Sequence, residues 1–328
     1  MIGLTESTED GYRAGMRAIG VVNYGGPEAL QLVDLPEGHA GPGEVRIRVH
    51  AATVNPTDTY VRNGDRAEMQ KADPPPYVPG MDAAGVIDEV GEGVSTGLRV
   101  GDRVMAIVVP KGAYGAYRES LVISADAVAL APRDTSHAEA STLPMNALTA
   151  RLSLDLLGLE PGQTLAVTGV AGCYGGYVVQ LAKADGLTVI ADASDADVEL
   201  VTSLGADVVV PRGDGFASEV RKLYPDGVDA LADGAVQNEA VVDAIRDGGS
   251  YTSVRGFTPA AQRDIAFTST FVRDYAHEQG KLDQLRQQVD DGLLTLRVAQ
   301  VYPADQASAA HARLEAGGTR GRCVITFD

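Results

Sequence analysis

The sequence predicts an α/β protein built in two parts, a punctuated β-domain followed by a doubly wound parallel sheet. Three observations carry that expectation. The chain has 328 residues, beyond the roughly 250 to 300 at which a single core stops growing. Its grain changes near Pro132, from alternating runs broken by Gly-Pro and Asn-Pro to apolar strands alternating with amphipathic helices. A glycine-rich turn, in TLAVTGVAGCYGGYVVQLAK, falls between one such strand and its helix.

The elements follow in order. Residues 1–15 carry no basic start with an apolar run behind it, so they read as a loose extension and not as a secretory signal. Glu44–Val49 and Val86–Val90 are alternating strands, separated by the proline cluster Pro74–Pro76. His137–Gly158 reads as helix. Thr164–Thr168 is a short buried strand, Tyr177–Lys183 a helix, Thr188–Ile190 a strand, Val198–Leu204 a helix and Asp207–Val210 a strand. Phe216–Leu223 then reads as helix, Val228–Leu231 as strand, Glu239–Arg246 as helix and Ser250–Val254 as strand. Strand and helix alternate throughout, which requires a parallel sheet with right-handed crossovers. The tail offers a polar helix after Lys281, a strand at Leu296–Val301, a helix at Ala304–Ala316 and a last strand at Arg322–Thr326.

Composition excludes several functions. With 27 basic against 45 acidic side chains the net charge is −18, which repels phosphate backbones and anionic lipid, so nucleic acid is not an expected partner. No stretch reaches the roughly 20 apolar residues of a membrane span. Cys173 and Cys323 are too few for a disulfide framework or a four-thiolate zinc site, which points to a reducing, cytoplasmic setting.

Gly169, Gly172 and Gly175 are spaced by three where a strand meets a helix. A dinucleotide's pyrophosphate sits at such a helix N-terminus, where unpaired N–H groups and the dipole favour negative charge and side chains would block approach. An ordinary tight turn gives the same spacing, and the βαβ units that follow favour the nucleotide. Asp192 stands about 20 residues beyond, where NAD sites place a ribose-binding acid; its acidic neighbours Asp195, Asp197 and Glu199 equally fit a solvated helix start.

With that turn placed, the stretches GPGEVRIRVHAATVNPTDTYVRNG, PPYVPGMDAAGVIDEVGEGV, GDRVMA and the terminal RGRCVITFD become readable. In their order they resemble the zinc-independent quinone oxidoreductases, zeta-crystallin-like members of the medium-chain dehydrogenase/reductase superfamily, from about Met16 to the end. The resemblance implies a GroES-like β-domain over 16–136, a Rossmann domain over 137–280, and a return to the first domain over 281–328, with the active site between the domains. It aligns Asn55, Met81 with Asp82, and Met145 to the zinc ligands of related alcohol dehydrogenases. An amide and thioethers do not replace thiolate and imidazole on zinc, so no metal is expected.

Without a Lewis acid, hydride transfer from a nicotinamide suits a conjugated acceptor, whose enolate or quinol anion hydrogen bonds can stabilise. The resemblance therefore implies a reductase acting on a quinone or enone. Asn55 is assigned to hold cofactor or acceptor and Tyr60 to donate a hydrogen bond, although Asn-Pro also shapes turns and Tyr also fills cores. Thr57 aligns to a relay hydroxyl. Asn146 and Thr149 match a segment approaching the nicotinamide, and Val254 should lie near the carboxamide. The family's NAD-type acid aligns to Ala193, followed by Ser194; these small residues, with Arg212, favour NADPH, with NADH as the alternative. Relatives also suggest a homodimer. The alternatives are an enoyl or 2-alkenal reductase of a biosynthetic pathway, or a non-catalytic, crystallin-like nucleotide binder.

Overall fold

The computed structural model describes residues 15–327, so the expected extension at 1–15 lies, but for Gly15, outside the described residues. β1 (Met16–Val21) and β2 (Leu30–Leu35) form an antiparallel hairpin. β3 (Glu44–Thr53) alternates inward Val45, Ile47 and Val49 with more exposed residues, the period of a strand with one buried face. It pairs antiparallel with β4 (Asp82–Val90), which pairs with β5 (Arg103–Ile107); β6 (Ser120–Ser124) also pairs with β3, and β7 (Val128–Leu130) with β5. Between β3 and β4 lie two helices absent from the sequence reading, α1 (Pro56–Asn63) and the single turn α2 (Ala67–Gln70).

The helix expected over His137–Gly158 is two helices, α3 (His137–Ala140) and α4 (Pro144–Leu157). Proline has no N–H and a fixed φ, so Pro144 opens a helix and cannot continue one. α3, inside the stretch expected to be nucleotide-binding, packs against β3, β4 and β15 (Arg322–Thr326) of the first sheet.

The second sheet is parallel throughout. β8 (Thr164–Thr168), β9 (Thr188–Ala193), β10 (Val208–Pro211), β11 (Val228–Asp233), β12 (Ile245–Ser253) and β13 (Ala266–Ser269) lie in the order β10-β9-β8-β11-β12-β13. The direction reverses between β8 and β11, the switch point at which doubly wound sheets bind ligands. α5 (Cys173–Ala184), α6 (Val198–Ser203), α7 (Phe216–Leu223) and α8 (Glu239–Val242) connect the strands. The helix expected to run to Arg246 stops at Val242, and β12 begins at Ile245 instead of Ser250.

After α9 (Gln279–Asp290) the chain returns to the first sheet. β14 (Val298–Pro303) and β15 flank α10 (Ala307–Glu315), and β15 pairs parallel with β14 and antiparallel with β3. One apolar cluster runs from Val45, Ile47 and Ile87 through Leu148 of α4 to Leu165 and Val178, so α4 joins the two sheets in a continuous core. A second, around Phe216, Leu231 and Tyr251, fills the other face of the parallel sheet. Among the described residues no helix is long and apolar enough to cross a membrane.

Strands β3 and β4 touch most closely at Gly85, where a Cβ would lie 1.9 Å from the Arg48 carbonyl oxygen. Gly85→Ala should therefore destabilise the protein by about 1 to 3 kcal/mol, the usual cost of overpacking. Denaturant unfolding checks this; an unchanged midpoint would show that the two strands can part there without penalty.

Candidate active site

Four chain segments meet in a buried polar node between the two sheets. Asn55 caps α1, Asp82 opens β4, Met145 and Asn146 lie in the first turn of α4, and Arg322 opens β15. Asn55, Asp58 and Asp82 are 0% exposed and Asn146 1%. The Asp82 carboxylate accepts the Met145 backbone N–H at 2.6 Å and the Asn55 amide Nδ2 at 2.6 Å. Asn55 Oδ1 in turn accepts from Asn146 Nδ2 at 3.2 Å, and Asn146 Oδ1 accepts from Arg322 Nη2. Asp58 accepts the backbone N–H of Asn55 at 2.8 Å and of Gly80 at 3.0 Å, and the Tyr117 hydroxyl at 3.2 Å.

Burial pushes the Asp58 carboxyl up to about 6 and that of Asp82 up to about 7, the second raised further by the first and both drawn back by their hydrogen bonds and by Arg322. From Tyr117 the network continues outward. Its hydroxyl meets His311 Nε2 at 3.1 Å, His311 Nδ1 meets Arg62 at 3.3 Å, and Arg62 bonds Glu315 at 2.5 Å. Burial and the Arg62 charge push His311 down to about 3, so this ring is neutral.

The expected site residues are thus placed unequally. Asn55, expected to hold cofactor or acceptor, is buried with its Nδ2 engaged by Asp82 and its Oδ1 by Asn146. Thr149 donates to the Met145 carbonyl at 2.5 Å. Thr57 donates to Met81 Sδ at 2.9 Å. Tyr60, on the outer turns of α1, is half-buried, with the guanidinium carbons of Arg255 and Arg66 5.1 and 5.7 Å from its ring centroid. Since Arg255 lies just past β12, this contact crosses between the two domains; Val254 precedes it at the strand end.

The glycine turn fits a dinucleotide. Gly169 has φ +72°, and a Cβ there would lie 3.0 Å from the Gly234 backbone; a Cβ at Gly175 would lie 2.5 Å from the Gly169 carbonyl oxygen. Gly172 caps α5, whose first intrahelical bond runs from Gly176 N–H to the Gly172 carbonyl. The amides of Cys173, Tyr174 and Gly175 consequently have no intrahelical acceptor and can meet an anion. Tyr174 is packing, with its hydroxyl 2.8 Å from Ser153 Oγ, and Cys173 is a buried filler.

Asp192 is 3% exposed and accepts the Val170 N–H of the turn at 3.0 Å, so it braces the turn instead of facing a ribose. Arg212 is exposed, held beside Ala193 by its backbone N–H to that carbonyl at 2.9 Å. Ser194 donates to Asp197 at 2.5 Å. After β11, Val236 takes φ +57°, an uncommon conformation for a β-branched residue and one that clusters at ligand sites.

Three arginines from the returning segment were missed by the sequence reading. Arg297 donates to the Ala171 and Gly172 carbonyls at 3.0 and 2.7 Å, Arg320 bonds Asp197, and Arg322 reaches Asn146 with its Nε buried and unpartnered. The motif RGRC, with Gly321 pressed against the Arg297 backbone, was the available signal. The donor set at the positions aligned to zinc ligands, one engaged amide, two thioethers and the single Asp82 carboxylate already taken up by Asn55 and the Met145 N–H, does not fit that ion; among the described residues no group of three His, Cys, Asp or Glu side chains could hold a metal.

A mostly antiparallel first sheet joined by α4 to a parallel sheet with a dinucleotide turn defines a two-part, nicotinamide-dependent oxidoreductase. Residues 41–133 match the alcohol dehydrogenase GroES-like domain, and residues 204–325 match the zinc-binding dehydrogenase family. A 2-methylene-furan-3-one reductase of Solanum lycopersicum is 31% identical over 94% of this chain and 79% of its own length. An NADPH-dependent alkenal/one oxidoreductase of Arabidopsis thaliana is 30% identical over the same shares. The structure of a mycobacterial quinone oxidoreductase superposes with TM-score 0.80 at 29% identity, covering 95% of this chain and 100% of that one. The chain belongs to the quinone oxidoreductase family of the medium-chain dehydrogenase/reductase superfamily.

The node makes a signed prediction. Asp82 binds its proton at higher pH when folded than when unfolded, so the stability it contributes is present at low pH and lost as pH rises through about 7. Asp82→Asn removes that titration. The parent's stability relative to the variant should fall by roughly 1 to 4 kcal/mol between about pH 4 and 7. Denaturant unfolding across this range reads it, and a difference that grows with pH would contradict the assignment.

Proposed function

We propose that this chain is a metal-free, NADPH-dependent reductase of a quinone or α,β-unsaturated carbonyl. The observation that carries the reading is the buried node in which Asn55 and Asp82, two of the positions aligned to a zinc site, are hydrogen-bonded to each other and, through Asn55, to Asn146. A reductase lacking a Lewis acid is suited to acceptors whose reduced anion is delocalised. Reduced nicotinamide, when bound, supplies the hydride. The α5 amides and Arg297 would hold the pyrophosphate, and the α4 turn with Thr149 and the strand end at Val254 would line the nicotinamide end. Gln237 Oε1 and Asn238 Oδ1, buried acceptors without a partner beside the strained Val236, are suited to a carboxamide N–H. Tyr60 donates to the acceptor's oxygen, and the two guanidinia beside its ring favour negative charge developing there.

NADPH over NADH is supported by Arg212, exposed beside Ala193 and Ser194, and by the engagement of Asp192 within the turn. An enone is the closer fit to the activities for which the two plant relatives are named, and an enoyl or 2-alkenal reductase is the second reading. We also infer a cytoplasmic homodimer, since both cysteines are buried and unpaired and β13 leaves a free sheet edge beside exposed Phe271.

Mixing the protein with NADPH and a panel of quinones and enones, and following loss of the reduced-nicotinamide absorbance, tests the activity. Tyr60→Phe should lower kcat by as much as about 100-fold with enones and less with quinones, whose reduced anion needs less help. Unchanged rates with both acceptors would make Tyr60 a packing residue. Arg212→Ala should weaken the enzyme for NADPH by about 1.5 to 3 kcal/mol in kcat/KM, leaving NADH untouched. An equal effect on both cofactors would remove Arg212 from the 2′-phosphate site.

A further inference from the structure

Two arginines from different parts of the chain meet at the Tyr60 ring, the one ring among the described residues with two guanidinia beside it. The net charge of the chain is −18, so carboxylates to neutralise them are plentiful. Yet among the described residues neither Arg66 nor Arg255 has a hydrogen-bonded or ion-paired carboxylate; the contact each makes with its guanidinium is to the Tyr60 ring. The acids nearest Arg66 in sequence are engaged elsewhere, Asp65 with the Asn63 amide at 2.8 Å and Glu68 with Lys71 at 2.7 Å. Both arginines are held by their backbones. Arg66 N–H donates to the Tyr60 carbonyl at 3.3 Å and caps α2, and Arg255 N–H donates to Ser253 Oγ at 3.4 Å.

A guanidinium held over an aromatic ring by cation–π attraction spends none of its N–H donors on a hydrogen-bond acceptor. Those donors form the fork that matches a carboxylate or a phosphate. Two such forks, one from each domain, converge on Tyr60. A protein this acidic repels anions at long range, so a local pair of unmatched cations there has a definite consequence for what binds beside the tyrosine.

Resting on the reductase reading above, we propose that Arg66 and Arg255 form an anion-recognition point, and that the acceptor this enzyme reduces carries a carboxylate or phosphate group beyond its conjugated carbonyl. Arg255 then reads the substrate from the nucleotide-binding side and Arg66 from the α1–α2 side, with Tyr60 between them addressing the carbonyl oxygen.

The test is a calorimetric titration of the full chain with three saturated, non-reducible probes. These are a medium-chain oxo-carboxylate, its methyl ester, and the matching oxo-phosphate monoester. The anions should bind about tenfold or more tighter than the ester, the scale of hydrogen bonds to a charged group. Added salt should narrow the difference. Arg66→Gln and Arg255→Gln should each cut the anion-to-ester affinity ratio about tenfold, and the order of the two anions identifies which group is read. Equal binding of anions and ester, or a ratio unchanged in both variants, overturns the proposal. So does an Arg255→Gln protein that binds NADPH more weakly while keeping the parent ratio, since that guanidinium would then serve the cofactor. Turnover of the corresponding unsaturated compounds with NADPH reads the underlying activity separately. Arginine-dependent anion binding without turnover of any acceptor sinks the reductase reading and overturns the assignment of the anion to a reducible acceptor, while upholding Arg66 and Arg255 as an anion-recognition point; turnover without anion preference sinks this proposal alone.

Discussion

The hydrogen bond from the Asn55 amide to the Asp82 carboxylate is the contact on which the site depends. A carboxylate out of reach of water is costly unless every lone pair finds a donor, and here the donors come from two separate elements, α4 through the Met145 N–H and the start of α1 through Asn55. Satisfying Asp82 therefore fixes α1 against α4. Since α4 is also the element through which the apolar core continues from the first sheet into the second, the same contact sets the register of one domain on the other. Tyr60, one and a half turns along α1, inherits its position from it.

A second constraint is electrostatic. In a chain of net charge −18, the cations nearest the glycine turn and the node come from one segment. The return of the chain to the first sheet brings Arg297 to the glycine turn, Arg320 to the start of the helix after β9, and Arg322 to the node. These contacts tie the last strands to the nucleotide-binding half through one segment. Asp192 shows the complementary arrangement: an acid at the position of a ribose ligand is turned inward to brace the glycine turn.

How much of this could be read beforehand depended on the range of the interactions. β8, α7 and β15 have the bounds expected of them, because each is a short run whose periodicity and flanking residues are decided locally. The glycine turn was legible for the same reason. α1 was not, since PTDTYVRN is poor in helix formers and its stability comes from Pro56 at the first helical position and the Asp58 cap. The strand at Ile245 was hidden by the polar RDGG that follows it; pairing with β11 forms it, against local preference. Asn55 and Asn146 were singled out on resemblance, but their mutual bond spans 91 residues, and that of Arg322 to Asn146 spans 176. Contacts of such sequence separation leave no periodic trace. The role of Arg255 beside Tyr60 belongs to the same class.

The central claim is that hydride reaches a conjugated acceptor in a site that needs no metal. It is tested most directly by following the label from NADPH deuterated at the transferring position of the nicotinamide, using protein dialysed against a strong zinc chelator and an α,β-unsaturated ketone as acceptor. The account predicts one deuterium per product molecule at the β-carbon, at a rate equal to that of undialysed protein. Product formation that disappears on dialysis and returns with zinc, or product whose β-hydrogen comes from solvent, would contradict it.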